Sequence, residues 1–438
     1  MEPSTDPASK RLLEIAPDGV ASPYALRVFA RHVPALEALL RRWARLTAIE
    51  RTCLSICSII YDWTSRTALT QLRRAEESVT FVTLLRNSLL AVMMAPHKWP
   101  APLVVASCGD RRRIVETLVI GSGSLGSLLA ARLSAGGASV TLFGRTSPHL
   151  ERIASKWLTV EGFEGSRLTV RLRTATYGQT LRRPTLAIIA VKTWATEDAL
   201  KPLLPALEQV EAVLTLQNGL GNAQRLRKLL PAHVKILTGV TTQAALRADP
   251  GVVRDTGPGE TWIGSEFDPA DPDTISMVAR VAALLDSSGW PTIAVTDILP
   301  PLWMKLAVNA AINPLTALTR ASNGEIADDP NLAQLAAYLA SEAAAVAASL
   351  GIVLDRPVER ALEVARATGQ NRSSMLRDIE LGRRTETEAI TGAVHELGEV
   401  NGVNTPITTM MTIMLYALER NLLTPPEPLR VEPEPVSD

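Results

Sequence analysis

From Leu118 the chain reads Leu-Val-Ile and then Gly121-Ser-Gly-Ser-Leu-Gly126. A Leu/Ala stretch from Leu128 to Leu133 follows, then Gly136-Gly137, then Val140-Thr-Leu-Phe-Gly-Arg145. No other stretch limits the fold so tightly. A short apolar strand runs into three glycines, a helix follows, and a second apolar strand ends on a cation, which is the layout of a βαβ unit that binds a dinucleotide. Gly121 permits the tight turn, Gly123 lets a pyrophosphate approach the backbone, and Gly126 lets the helix sit close to the strand. The free N–H groups and partial positive charge of the helix N-terminus suit phosphate. Gly121, Ser122, Gly123, Ser124, Leu125 and Gly126 are therefore the candidate phosphate turn. An acid at the end of the second strand would bond a ribose 2′-hydroxyl; an arginine suits a 2′-phosphate, so Arg145 points to NADP over NAD.

The surrounding sequence alternates strands and helices from residue 114 to 267, as in a doubly wound parallel sheet. Leu186 to Lys192 and Ala212 to Gly219 read as buried strands, and 234–239, 251–255 and 261–264 as further ones. Ligands of open α/β sheets lie beyond the carboxyl ends of the strands. Lys192 and Asn218 join Arg145 at such ends, so both are candidate cofactor contacts. After Asp268 the apolar period becomes helical over 272–289, 298–313, 329–350, 355–368, 372–382, 384–402 and 406–421. In Pro301 to Pro314, Lys305, Asn309 and Asn313 recur every fourth residue, so one face of an otherwise apolar helix carries all three. Buried without partners they would cost free energy. Pro314 is expected to end that helix with Asn313 as its cap. Ser374 and Asp378 share a second polar face. Thr385 or Arg384 would cap the next helix, with Glu386 in its first turn, where an acid suits the dipole.

At 438 residues the chain has room for two or three domains. Net charge is zero, which argues against a nucleic-acid partner, but it is uneven. Residues 1–113 hold 16 Lys and Arg against 10 Asp and Glu, leaving 29 against 35 in the remainder. Cys53, Cys57 and Cys108 also lie in that first part, so the rest uses neither disulfides nor thiol chemistry and an intracellular site is expected. No metal site is expected. There is no signal-peptide pattern and no long uninterrupted apolar run, so no stable membrane insertion is expected. Residues 1–113 read as amphipathic helices (24–48, 49–62 and 66–94) and a linker from 95. They carry no motif, and Met93-Met94 offers an alternative start. The Pro/Glu-rich residues 423–438 read as a disordered tail.

Taken together, Gly121-Ser-Gly-Ser-Leu-Gly126, Val191-Lys-Thr-Trp194, Leu216-Gln-Asn-Gly-Leu-Gly221, Leu302 to Thr316, Ser373-Ser-Met-Leu-Arg-Asp378 and Arg384-Thr-Glu386 resemble the ketopantoate reductases (2-dehydropantoate 2-reductases) in order and spacing. The resemblance spans about 115–420; residues 1–113 have no counterpart in the usual pattern. It implies a Rossmann-type NADP domain (114–267) followed by an all-helical domain like that of 6-phosphogluconate dehydrogenases (268–422), behind a helical N-terminal extension. It implies Lys305 as general acid and Glu386 as the carboxylate that binds substrate and helps orient the lysine. Asn309, Asn313 and Ser374 would bind substrate, and Lys192 and Asn218 would lie near the nicotinamide and the reacting centre. The implied reaction is NADPH-dependent reduction of 2-dehydropantoate to (R)-pantoate, towards pantothenate and coenzyme A. A paralogue acting on another small 2-keto acid and a non-catalytic NADP sensor are the alternatives. The cytoplasm is the expected compartment, with the mitochondrion as alternative, and a homodimer is left open.

Overall fold

The computed structural model describes residues 116–423 except Glu164 and Pro258. The expected N-terminal helices, their linker and the tail from residue 424 lie outside the described residues.

Four buried apolar residues form β1 (Thr117–Ile120), and the glycine turn leads straight into α1 (Ser124–Ala135). The chain continues through β2 (Val140–Phe143), α2 (Pro148–Ser155), β3 (Leu158–Glu161), β4 (Arg167–Val170) and β5 (Arg173–Ala175). Next come β6 (Leu186–Ile189), α3 (Thr196–Leu200), α4 (Leu204–Leu207), β7 (Ala212–Thr215) and α5 (Asn222–Leu229). Then follow β8 (Lys235–Thr241), β9 (Ala245–Asp249), β10 (Val252–Asp255), β11 (Thr261–Gly264), α6 (Pro272–Ser287) and β12 (Thr292–Ala294).

The large sheet has the order β12-β11-β8-β7-β6-β1-β2-β5. The six strands from β8 to β5 are all parallel, whereas β11 runs antiparallel to β8. The doubly wound expectation thus holds for six strands and fails for the last two. Side chains alternate faces along each strand, which explains why both faces carry a core. Val119, Leu142, Ile188 and Leu214 pack with Leu128 and Leu129 of α1 and Val281 and Leu285 of α6. Ile120, Ile189 and Val213 pack on the other face with Leu203, Leu207 and Leu226. The helix expected over 272–289 is α6, but it lies against the sheet, and β12 adds an edge strand after it. The three residues of β12 are too few to show a period. A second sheet, β4-β3-β10-β9, packs on α1; of its strands only β10 was expected.

The helical part comprises α7 (Leu299–Thr319), α8 (Asn323–Asp328), α9 (Pro330–Ser349), α10 (Pro357–Ala367), α11 (Ser374–Glu380), α12 (Ala393–Asn401) and α13 (Pro406–Leu423). Two apolar clusters cover opposite sides of α7, one including Leu306 and Ala310, the other Ile312 and Leu315. Between Pro301 and Ala317 only Lys305 and Asn309 are not buried. Contrary to expectation, α7 continues through Pro314 to Thr319. Proline removes one helical donor, but α9, α10, α11 and α13 pack around this helix, so tertiary contacts override the local preference. Of the described helices only α9 is apolar and long enough to cross a membrane. It buries Leu339, Ala340, Ala343 and Val346 among the neighbouring helices, as a core helix does.

Helix 384–402 is also not as expected. A π-turn at Glu388–Gly392 precedes α12, and Glu386 sits ahead of it rather than in a first helical turn. Buried Glu419 accepts from Thr385 N and Thr387 Oγ1, so the segment ahead of the π-turn is tied to α13, and helical geometry begins only at Thr387. Thr385 Oγ1 accepts from Thr387 N at 3.1 Å, but the N-cap is Thr387 and not Thr385 or Arg384 as expected.

Candidate active site

Asn218, Lys192, Gly121 and Arg145 follow the ends of β7, β6, β1 and β2, four adjacent parallel strands. The chain leaves β1 to one side for β2 and returns to the other for β6, so the glycine turn lies at the topological switch point, where such sheets bind ligands. Gly121 has φ +121°, and a Cβ there would stand 2.6 Å from the Ala190 carbonyl carbon. A Cβ on Gly126 would overlap the Gly121 carbonyl oxygen, so this glycine is what seats α1 on the strand. Gly123 differs: nothing lies within 4 Å of its Cβ position. As N-cap it makes no side-chain cap bond, so the first-turn N–H groups of α1, which have no partner within the helix, are left uncapped by it. The Ser124 hydroxyl accepts from Arg247 N at 3.0 Å and so ties α1 to β9. Arg145 is exposed at the rim. These residues fit a dinucleotide pyrophosphate: a backbone cradle, unpaired N–H donors and a cation beside it.

A polar cluster lies at the ends of β6 and β7. Lys305 Nζ donates to Asn218 Oδ1 at 2.8 Å, and Asn218 Nδ2 donates to Glu386 Oε2 at 3.1 Å. Charge dictates this amide orientation, oxygen towards the ammonium and NH₂ towards the carboxylate. Lys192 Nζ donates to the same Oε2 at 3.2 Å and to Asp378 Oδ2 at 2.7 Å. Thr193 N donates to Glu386 Oε1 at 3.3 Å. Glu386 is buried, and all three donors come from the sheet side. A second tie joins the two parts of the chain, from Leu220 N to the Ala389 carbonyl at 2.9 Å.

Lys305 is half-buried as a residue, but its ammonium sits at the enclosed end. Desolvation therefore dominates and lowers its pKa to about 8, against the opposing pull of Glu386. Burial also opposes the charge on Lys192, but the Glu386 and Asp378 carboxylates outweigh it and raise its pKa. Burial raises that of Asp378, with Lys192 countering.

The structure thus brings Lys305, Asn218, Glu386 and Lys192 together. Asn309 is half-buried one turn along α7 and Asn313 is buried; neither side-chain amide has a hydrogen-bond partner among the described residues. Ser374 is exposed at the start of α11, outside the bonded cluster. Its neighbour Ser373 is the buried cap, accepting from Leu376 N. Sequence reasoning did not assign Asp378, the Thr193 amide or Gln217. Asp378 shared a helix face with Ser374, which was a usable signal, but its partner Lys192 lies 186 residues away. A backbone amide leaves no compositional trace.

Both parts of the fold resemble known proteins. The family described as "Ketopantoate reductase PanE/ApbA" matches residues 117–266, and its C-terminal counterpart matches residues 297–419. A 2-dehydropantoate 2-reductase of Halobacterium salinarum is 35% identical over 308 residues, 70% of this chain and all of that protein. One from Archaeoglobus fulgidus is 36% identical over 310 residues, 71% of this chain and again the whole relative. Among solved structures, a D-mandelate dehydrogenase with NADH and anilino(oxo)acetate aligns with a TM-score of 0.65 at 25% identity, over 70% of this chain and 99% of that one. A 2-dehydropantoate 2-reductase from Geobacter metallireducens gives 0.64 at 28%, over 69% and 99%. With both halves of the fold matched in order and whole relatives aligned at better than 30% identity, the chain belongs to the ketopantoate reductase family.

Proposed function

We propose that the protein reduces 2-dehydropantoate to (R)-pantoate with NADPH. The observation that carries this reading is the Lys305–Asn218–Glu386 chain standing at the strand ends beside the glycine cradle. The residues of the cradle, Gly121 to Gly126, would hold the pyrophosphate, and Arg145 would pair with the 2′-phosphate. When bound, the reduced nicotinamide supplies hydride to the C2 carbonyl carbon. As the C=O bond becomes a C–O single bond, negative charge grows on oxygen. Lys305 Nζ stabilises that charge and gives up its proton to the oxygen, completing the alcohol. Its pKa of about 8 leaves it mostly protonated at neutral pH yet a better acid than an exposed lysine. Glu386 holds Asn218, and through it the ammonium, and offers an acceptor to the substrate hydroxyl. The free amides of Asn309 and Asn313 and the hydroxyl of Ser374 suit the rest of a hydroxy-keto acid.

The likeness to a D-mandelate dehydrogenase with NADH favours one second reading, a reductase of another small 2-keto acid. Purified full-length protein assayed with NADPH or NADH against 2-dehydropantoate and a panel of 2-keto acids separates the two. We expect the highest kcat/KM for 2-dehydropantoate with NADPH. Preference for another acid would establish the second reading, and nucleotide binding with no turnover of any acid would leave a sensor.

A further inference from the structure

We infer that Gln217 is a positioning residue for this site: it cross-links the two strand-end segments that supply every hydrogen bond to the Glu386 carboxylate from the described residues. The Gln217 side chain is buried between them. Its Nε2 donates to the Val191 carbonyl at 3.0 Å and to Thr196 Oγ1 at 2.8 Å, both on the segment after β6. Its Oε1 accepts from Thr215 Oγ1 at 3.1 Å on β7. Thr196 Oγ1 in turn donates to the Thr193 carbonyl at 2.7 Å, and Arg225 Nη1 donates to that same carbonyl at 3.0 Å. Both amide hydrogens and the amide oxygen are thus used, which fixes the side chain in one orientation.

What this orientation holds follows from chain neighbours. Val191 precedes Lys192 and Thr193, two of the three donors to Glu386. Gln217 itself precedes Asn218, the third donor and the acceptor for Lys305. A strand end has no ladder partner beyond its last pair, so the backbone bonding of β6 and β7 ends where Leu216 N donates to the Ile189 carbonyl at 3.0 Å. Gln217 carries that constraint onward to the reacting groups. An apolar residue of equal size fills the space but leaves the Val191 carbonyl and the Thr215 hydroxyl without this partner, and the direct tie between the two segments is lost, leaving Arg225 on Thr193 and Glu386 itself to hold them. Glu386 then loses its common grip on Lys192 and Asn218. Lys305 loses both its aligned acceptor and part of the carboxylate field that keeps it protonated.

Gln217→Met retains the bulk and removes all three bonds; Gln217→Glu retains the acceptor and removes the donors. Thr196→Val removes the Thr196 bonds to Gln217 and to Thr193 and leaves the Gln217 bonds to Val191 and Thr215. For Gln217→Met we expect kcat to fall about tenfold or more, since small misalignments of catalytic groups have effects of that size. The alkaline limb of the pH–rate profile should move to lower pH, and NADPH affinity by direct fluorescence titration should stay within about threefold of wild type, consistent with a role other than holding nucleotide. Thr196→Val should move the same limb in the same direction by less, and serves with Gln217→Glu if Gln217→Met does not fold. A lower Tm with kcat and limb unchanged would show a merely structural residue and overturn the inference. The kinetic readouts rest on the reductase reading, so Lys305 is also titrated without turnover, by the pH dependence of its modification with an amine-directed reagent. An inactive wild type whose Lys305 titration shifts in Gln217→Met refutes the reductase reading and keeps the positioning role. An unshifted titration refutes the positioning role whatever the enzyme reduces.

Discussion

The glycine turn and the Lys305–Asn218–Glu386 cluster stand at the ends of neighbouring strands, yet they are made from opposite materials. The turn is six consecutive residues whose contribution is mostly missing atoms: Gly123 leaves open space, and Gly121 and Gly126 permit close backbone contact. The cluster is mostly side chains, drawn, with Lys192, from segments up to 194 residues apart and held by hydrogen bonds to charged groups. A backbone site of this kind fails by steric obstruction, whereas a side-chain site fails by loss of a proton or of alignment. Substitutions in the two places should therefore leave different signatures.

The sharpest contrast is Lys305→Ala. It removes the proton donor and touches none of the cradle, so kcat should fall by about 10²-fold or more. NADPH affinity, read by direct titration, should remain close to wild type. A near-normal kcat would break the division of labour between the two regions.

Within the cradle, Gly126→Ala and Gly123→Ala separate fold from function. The first drives a methyl into the Gly121 carbonyl and should destabilise the protein by about 1–3 kcal/mol, as over-packing does, read as a lower Tm. The second meets no atom of the described residues within 4 Å, so Tm should stay while nucleotide affinity falls. Equal Tm losses in both would mean that the space over Gly123 is not the pyrophosphate seat.

The cluster should in turn show itself through pH. A general acid works only while protonated, so kcat/KM should decline as pH rises through about 8, the value to which burial brings Lys305. Glu386 opposes that shift. Glu386→Gln should therefore lower the lysine pKa further and move the decline to lower pH, besides any loss of substrate affinity. A limb unmoved in Glu386→Gln would mean that Asn218 does not transmit the carboxylate to the lysine.

The same contrast governs what could be read before the fold was known. β1, β6 and β7 are runs of fully buried residues, and apolar runs between turn signals are legible. β4, with Arg167 and Thr169 exposed, and three-residue β12 carry no comparable signal. Pro314 misled because a local rule was applied to a helix packed on most sides. Glu386 was found by motif resemblance, and its place ahead of the helix was not foreseen, since the residues on either side of it bond Glu419, more than 30 residues later. Lys305, Asn309 and Asn313 stood out because polar residues on an apolar helix demand a reason. Which strand-end donors would meet Lys305 and Glu386 depends on how helix and sheet approach each other, and no local pattern encodes that.

Arg145 provides the smallest and most discriminating test, because it adds a side chain to a site otherwise made of backbone. It is exposed and has no ion pair among the described residues, so its guanidinium is free for a ligand but well screened by water. An exposed charge pair contributes up to about 1 kcal/mol, which corresponds to roughly a fivefold change in affinity. Arg145→Ala should raise the KM for NADPH by about that factor and leave the KM for NADH unchanged, since only the former carries a 2′-phosphate. Raising the salt concentration should shrink the NADPH effect in wild type and do little in the variant. Equal changes for both cofactors would place Arg145 outside the 2′-phosphate site. The cradle would then recognise only what NADH and NADPH share, and the preference between them would have to come from another side chain at the rim.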